Sequence, residues 1–170
     1  MRHCRQQATD FAPREDIPKH LADVTVVAGM LHDIGKLILA WKISEHFEKV
    51  LAAALREHSP VYKVEERENG FSHAEIGAYL LGLWGLPYTV VEAVALHHGP
   101  NRVPHQNIDA ISAVYAANLL AHELEQSSAG APAVCNLENY QEEFSKLGAS
   151  EMLPDWRALA AEVPGLMAEV

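Results

Sequence analysis

Apolar residues recur at intervals of three and four along most of the chain, the spacing of helices with one buried face. From Lys19 to Trp41 the apolar set is Leu21, Val24, Val27, Ala28, Leu31, Leu37, Ile38 and Trp41, which predicts one helix. Ile43 to Glu57 predicts a second, with Phe47, Val50, Leu51 and Leu55 inward, broken by Ser59-Pro60. Lys63 to Asn69 is a charged segment stopped by Gly70. Ser72-His73-Ala74-Glu75 has the form of a capping box and starts a helix at His73 that runs to about Trp84. Gly85-Leu86-Pro87 reads as a turn, with Pro87 at the first position of a helix to His98, whose inward residues are Val90, Val91, Val94 and Ala95 and which Gly99-Pro100 ends.

The two ends of the chain are less regular. Residues 1–11 read as the end of a helix and Ala12 to Pro18 as a loop with two prolines. After a polar loop at 101–106, Ile108 to Leu124 is helical, Gln126 to Ala133 is a connector rich in small residues, Asn136 caps a helix over Leu137 to Leu147, and a last helix covers Pro154 to Glu162. No stretch alternates with the period of a strand, so the expected fold class is all-α, a helical bundle. We expect residues 1–125 to form its core and residues 126–170 to be C-terminal helices packing on it.

A length of 170 residues suits a single domain with a substantial core. A net charge of −10 argues against a nucleic-acid duplex as partner, because no basic stripe offsets it. Cys4 and Cys135 lie far apart and form no CxxC, which fits free thiols in a reducing compartment. The N-terminus has no apolar core of a secretory signal, and the apolar runs read as too short and interrupted for a membrane span, so a cytoplasmic location is expected. The oddity is histidine: ten, nearly as many as the thirteen Lys and Arg together, which points toward metal or phosphate chemistry.

The chemistry centres on Leu31-His32-Asp33-Ile34-Gly35-Lys36, inside the apolar run. Burying an imidazole and a carboxylate side by side is costly unless something pairs with them, and a divalent ion binds both. His3, His73, His97 and His98 stand where helices would bring them to the same point. On a helix the adjacent His32 and Asp33 point about 100° apart, so a shared ion would sit at the helix edge, with other helices closing the far side. Lys36, one turn after His32, would meet a phosphate oxygen bound to that metal. Alternatives stand beside these readings. His97-His98 would also cap helix carbonyls, and His73 would also serve as an exposed first-turn residue. Gly29 and Gly35 would admit a close neighbour, either a ligand or merely a packed helix. His20, His46, His58, His105 and His122 read as surface or satisfied residues.

These residues resemble the HD superfamily of metal-dependent phosphohydrolases, whose pattern is H…HD…D on a helical bundle. Ala28 to Leu37 is similar to its central helix. Phe71-Ser72-His73-Ala74-Glu75-Ile76-Gly77-Ala78-Tyr79-Leu80-Leu81, then Trp84-Gly85-Leu86-Pro87, and Ala95-Leu96-His97-His98-Gly99-Pro100 resemble the HDOD branch in particular. The resemblance implies metal ligands at His3, His32, Asp33, His73, His97 and His98, with Asp33 bridging where two ions are bound. It also implies a phosphate-facing role for Lys36, making Asp33 and Lys36 the catalytic candidates. The implied cofactor is one or two ions of Fe, Mn, Zn or Ni.

Three departures qualify what the resemblance implies. Asn118 stands where the superfamily has its last Asp, and a neutral amide oxygen there weakens metal affinity and water activation. No Gly-Tyr-Pro follows His97-His98. The branch also carries a helical part ahead of its first His, whereas this chain begins at Met1, as expected of a fragment, a shortened protein, or a bundle completed by another chain. The resemblance therefore implies a bacterial signal-transduction module with an impaired or inactive metal site, whose partners are a protein or an N-terminal regulatory region, in an oligomer if another copy covers exposed apolar surface. The alternative is an active phosphohydrolase acting on a nucleotide or other phosphoester.

Overall fold

The computed structural model describes residues 19–104, 108–129, 144–146 and 149–162. Among them the regular structure is helical and no strand occurs. The helices are α1 (Lys19–Leu31), α2 (Ile34–Lys42), α3 (Ser44–Glu57), α4 (Val61–Asn69), α5 (His73–Leu83), α6 (Tyr88–Leu96), α7 (Ala110–Ala129) and α8 (Leu153–Glu162), with a 3-10 turn at Pro100–Arg102. His3, Cys4, Cys135 and His105 lie outside the described residues, as does most of the helix expected over 137–147, of which 144–146 are helical.

The main core is formed by α1, α5, α6 and α7. Ala28, Ala78, Leu81, Val90, Ala93, Val94, Ala110, Ile111 and Val114 are buried together there. A second cluster joins α7 to the C-terminal residues through Tyr115, Leu120, Phe144, Leu153 and Trp156. A smaller one seats α4 on α3 through Val50, Ala54 and Val64.

Two elements differ from the sequence expectation. The helix expected from Lys19 to Trp41 is broken at His32-Asp33, where Asp33 takes φ −97° and ψ 8° and becomes the residue that opens α2. Asp readily leads a helix, and its backbone region is common at functional sites. Taken without the break, the stretch Lys19–Lys42 is long and apolar enough to cross a membrane by length and composition. That corrects the expectation that no run is. In the fold, α1 packs on α6 and α7, and α2 packs on α5.

The charged segment at 63–69 is also a helix, α4. Pro60 precedes it, Val64 anchors it, and Gly70 closes it at φ 79°, a left-handed conformation that glycine adopts without strain. Smaller shifts occur elsewhere. Pro87 precedes the first helical residue of α6 instead of occupying it, and α6 ends at Leu96 with His97 as its cap.

The crossing of α2 over α5 is set by two glycines. A Cβ on Gly35 would overlap the carbonyl oxygen of His73, lie 2.7 Å from that carbonyl carbon and stand 3.0 Å from Gly77 N. A Cβ on Gly77 would in turn stand 3.0 Å from Ile34 Cγ2 and 3.2 Å from Gly35 N. Only hydrogen at both positions lets the two backbones meet. Gly29, by contrast, has open space around its Cβ direction.

Candidate metal centre

The crossing at Gly35 brings the start of α2 against the start of α5. Asp33 and His73 therefore face each other, with His73 Nε2 3.2 Å from Asp33 Oδ1. The expected capping box fixes the start of α5: the Ser72 N–H donates to Glu75 Oε2 at 2.9 Å. The end of α6 supplies His97 and His98. His97 Nε2 lies 3.8 Å from Asp33 Oδ1, and His98 Nε2 lies 2.9 Å from His73 Nε2. The ligand atoms of Asp33, His73, His97 and His98 all fall within 4.8 Å of one another, a set that would surround one cation.

His32 stands at the edge of this group, with Nε2 3.5 Å from Asp33 Oδ2 and its ring 5.0 Å from that of His97 at a near-perpendicular angle. The helix break allows this, because on a continuous helix the two side chains would diverge.

Three of the imidazoles, those of His32, His73 and His97, are oriented alike. His32 Nδ1 donates to the Gly29 carbonyl and His97 Nδ1 to the Val94 carbonyl, each at 2.7 Å and three residues back along its helix. His73 Nδ1 donates to Glu65 Oε2 at 2.6 Å. With Nδ1 holding the proton, each ring turns the lone pair of Nε2 toward Asp33, the arrangement that ligating histidines adopt around metals. Helix capping and site formation, alternatives in the sequence, are here performed by the two nitrogens of the same ring.

Two buried polar atoms, Asp33 Oδ1 and His97 Nε2, lack a hydrogen-bond partner among the described residues although they face one another. Both are acceptors in this arrangement. Leaving such atoms buried and unmatched costs about 1–3 kcal/mol each, and a cation between them would remove that cost. The residues present therefore fit a divalent metal.

The protonation states agree with this. Burial holds the His97 imidazole down to about 3, with His32 and His73 adding to the effect against the Val94 carbonyl. His98 is driven well below the ordinary histidine range, first by burial and then by His97 and His73. Burial alone would raise Asp33, but its contact with His73 and the charges of Lys36 and His32 outweigh it and keep the carboxylate ionised. Burial alone would lower His73, but Asp33 and Glu65 hold it above its usual value. His97 and His98 thus present neutral nitrogens beside an anionic oxygen, whereas the two carboxylates favour the protonated form of His73 until a cation takes its place.

Lys36 Nζ donates to Asp33 Oδ2 at 2.7 Å. Its ammonium is paired with the proposed ligand itself, and the phosphate contact expected of it would compete with that pair. Asn118 is half-buried on α7, and among the described residues no hydrogen bond joins it to the cluster. His20, His46 and His58 are exposed, as expected, and His122 is half-buried. The residue missed in the sequence is Glu65, which is fully buried and bound to His73. In a run as charged as Lys63 to Asn69 it reads as solvated. The available signal was its position next to Val64 on a helix that Pro60 and Gly70 delimit.

The family model for the HDOD domain matches residues 12–100. The chain belongs to the HDOD domain family. The match contains His32, Asp33, Lys36, Glu65, His73, His97 and His98, so the HDOD region carries the whole described cluster. This chain is also similar to an uncharacterized protein of Treponema pallidum (strain Nichols), with 27% identity over 99 residues. That alignment covers 58% of this chain and 19% of the Treponema protein, so the chain spans about a fifth of that relative's length. No solved structure matches the HDOD chain significantly.

Proposed function

We propose that this chain is a signal-transducing HDOD module whose histidine–aspartate cluster binds a divalent metal, with little or no hydrolytic turnover. The observation that carries the reading is the pair of buried, unmatched acceptors, Asp33 Oδ1 and His97 Nε2, among imidazoles that already have Nδ1 committed elsewhere. His73, His97, His98 and Asp33 would hold the ion, with His32 beside Asp33. The donor set of nitrogens and one carboxylate suits Fe, Mn, Zn or Ni. Two features support regulation over catalysis: the sequence offers Asn118, a neutral amide, where the resemblance implies an anionic ligand, and Lys36 is engaged by Asp33. The signal would pass to a protein partner or to an adjoining regulatory segment.

A second reading, a metal-dependent phosphohydrolase acting on a nucleotide or other phosphoester, draws on the position of Lys36, whose half-buried ammonium stands at the cluster edge. In that reading the metal supplies Lewis-acid activation of water, and Lys36 offsets charge on the phosphoryl oxygens. Elemental mass spectrometry on tag-free protein purified without chelator separates the outcomes. About one equivalent of metal, absent from a His32→Ala, Asp33→Ala double variant, together with no turnover of bis(p-nitrophenyl) phosphate, is the expected result. Turnover that follows metal content would establish the hydrolase instead. No metal after dialysis against Mn or Fe would refute the metal reading.

A further inference from the structure

Helix α4 does something that neither the family's pattern nor the cluster itself accounts for. It places a fully buried carboxylate, Glu65, behind the metal-facing side of His73. Glu65 Oε2 accepts two hydrogen bonds, from the backbone N–H of His73 at 2.8 Å and from its Nδ1 at 2.6 Å. Its other oxygen, Oε1, has no hydrogen-bond partner among the described residues, so both of these hydrogen bonds go to a single residue. A buried carboxylate retained only for packing would be a net cost. On the same face of α4, one turn earlier, Tyr62 stacks on His98 with ring centroids 4.3 Å apart and an interplanar angle of 12°. The two imidazoles touched by α4 are the pair whose Nε2 atoms approach to 2.9 Å.

We propose that Glu65 is the positioning residue of the metal centre, fixing His73 as the Nδ1–H tautomer so that its Nε2 lone pair faces the ion. Oε2 already accepts from the backbone N–H of His73, and the same acceptor oxygen faces Nδ1, which places the ring proton between them at Nδ1. The same oxygen takes the backbone N–H at the start of α5, which intrahelical bonding leaves open. One atom therefore ties the ring's orientation to the helix that carries it. The proposal rests on the reading of the cluster as a metal centre, and its test keeps the two apart.

The experiment uses the full chain as wild type, Glu65→Gln and Glu65→Ala. Side-chain ¹⁵N spectra are recorded on the apoprotein well above the ordinary histidine range, zinc affinity is measured by chelator competition, and circular dichroism confirms the folded fraction. Wild type is expected to show His73 protonated at Nδ1 and bare at Nε2. Glu65→Gln is expected to weaken zinc binding by about 10–100-fold, the usual effect of removing such a partner, and Glu65→Ala at least as much. Should Glu65→Ala fail to fold, the near-isosteric Gln variant carries the comparison. A wild-type His73 protonated at Nε2, or zinc affinity unchanged in the folded variants, would overturn the proposal. Failure of wild type to bind zinc would count against the metal reading, and the tautomer spectrum would then decide the role of Glu65 by itself.

Discussion

Gly35→Ala isolates the contact on which the site depends. In an ordinary helix interior this change stabilises by about 1 kcal/mol, because alanine loses less backbone freedom on folding. Here the added Cβ lands on the backbone of α5, 2.7 Å from the His73 carbonyl carbon and 3.0 Å from Gly77 N. Carbon contacts prefer about 3.5–4.0 Å, so the two helices must part by about 1 Å. No flexible side-chain tip can yield, which puts the overpacking near the upper end of its usual range, about 3 kcal/mol. The net expectation is a loss of about 2 kcal/mol, or a urea midpoint lower by roughly 1 M if the denaturant slope is about 2 kcal/mol/M. Gly29→Ala is the internal control, since nothing lies within 4 Å of its Cβ. It should raise the midpoint slightly and leave the site intact. Metal affinity should fall in Gly35→Ala alone, because the separation draws Asp33 from His73. Equal midpoints for the two variants, at unchanged slope, would refute the account of the crossing.

Three further outcomes are expected. Asn118→Asp should tighten metal binding in equilibrium titration, and an unchanged affinity would show that position 118 takes no part in the site. In metal-free buffer, the His97 contribution should be lost as pH falls: the unfolded chain takes up a proton near 6.5 while the folded protein resists until about 3, so the unfolded state binds more protons across that window and stability declines through it. Asp33, lowered, acts in the same direction below the ordinary carboxylate range, whereas His73, raised, contributes stability that is lost as pH rises through its folded value. Denaturant midpoints against pH, in wild type and His97→Gln, check this by a flatter acid limb in the variant. Ser72→Ala should cost about 1 kcal/mol by loosening the start of α5, measured by the same unfolding assay.

The sequence carried the helical class and most of the helix positions, because Phe47 and Val50, or Val90 and Val94, repeat at a spacing that a helix buries, although Leu51 and Leu55, expected on the same inward face as Phe47, are exposed. Ser72 and Glu75 announced the start of α5 in the same local terms. Periodicity did not reveal the break at His32-Asp33, since apolar residues continue on both sides in near register and the interruption serves the convergence of side chains from other helices. Glu65 was hidden for a related reason: its burial comes from α5 packing against α4, with no local sign among its charged neighbours. Gly35 was readable as a close approach, but its partner could be either a ligand or a backbone until the fold placed His73 against it.

The ligand set sits entirely at helix ends. Asp33 opens α2, His73 is the first residue of α5, and His97 closes α6 with His98 beyond it. Helix ends are where a folded chain frays first, so a cation held there would act as a rivet through three otherwise loose joints. Its arrival or loss would be felt as stiffening or slackening of whole helices, with little displacement of any atom. A site of this kind would carry information even without turnover: occupancy would be written into the rigidity of the bundle, and amide exchange at the first turns of α2 and α5 and the last turn of α6 is where it would be read.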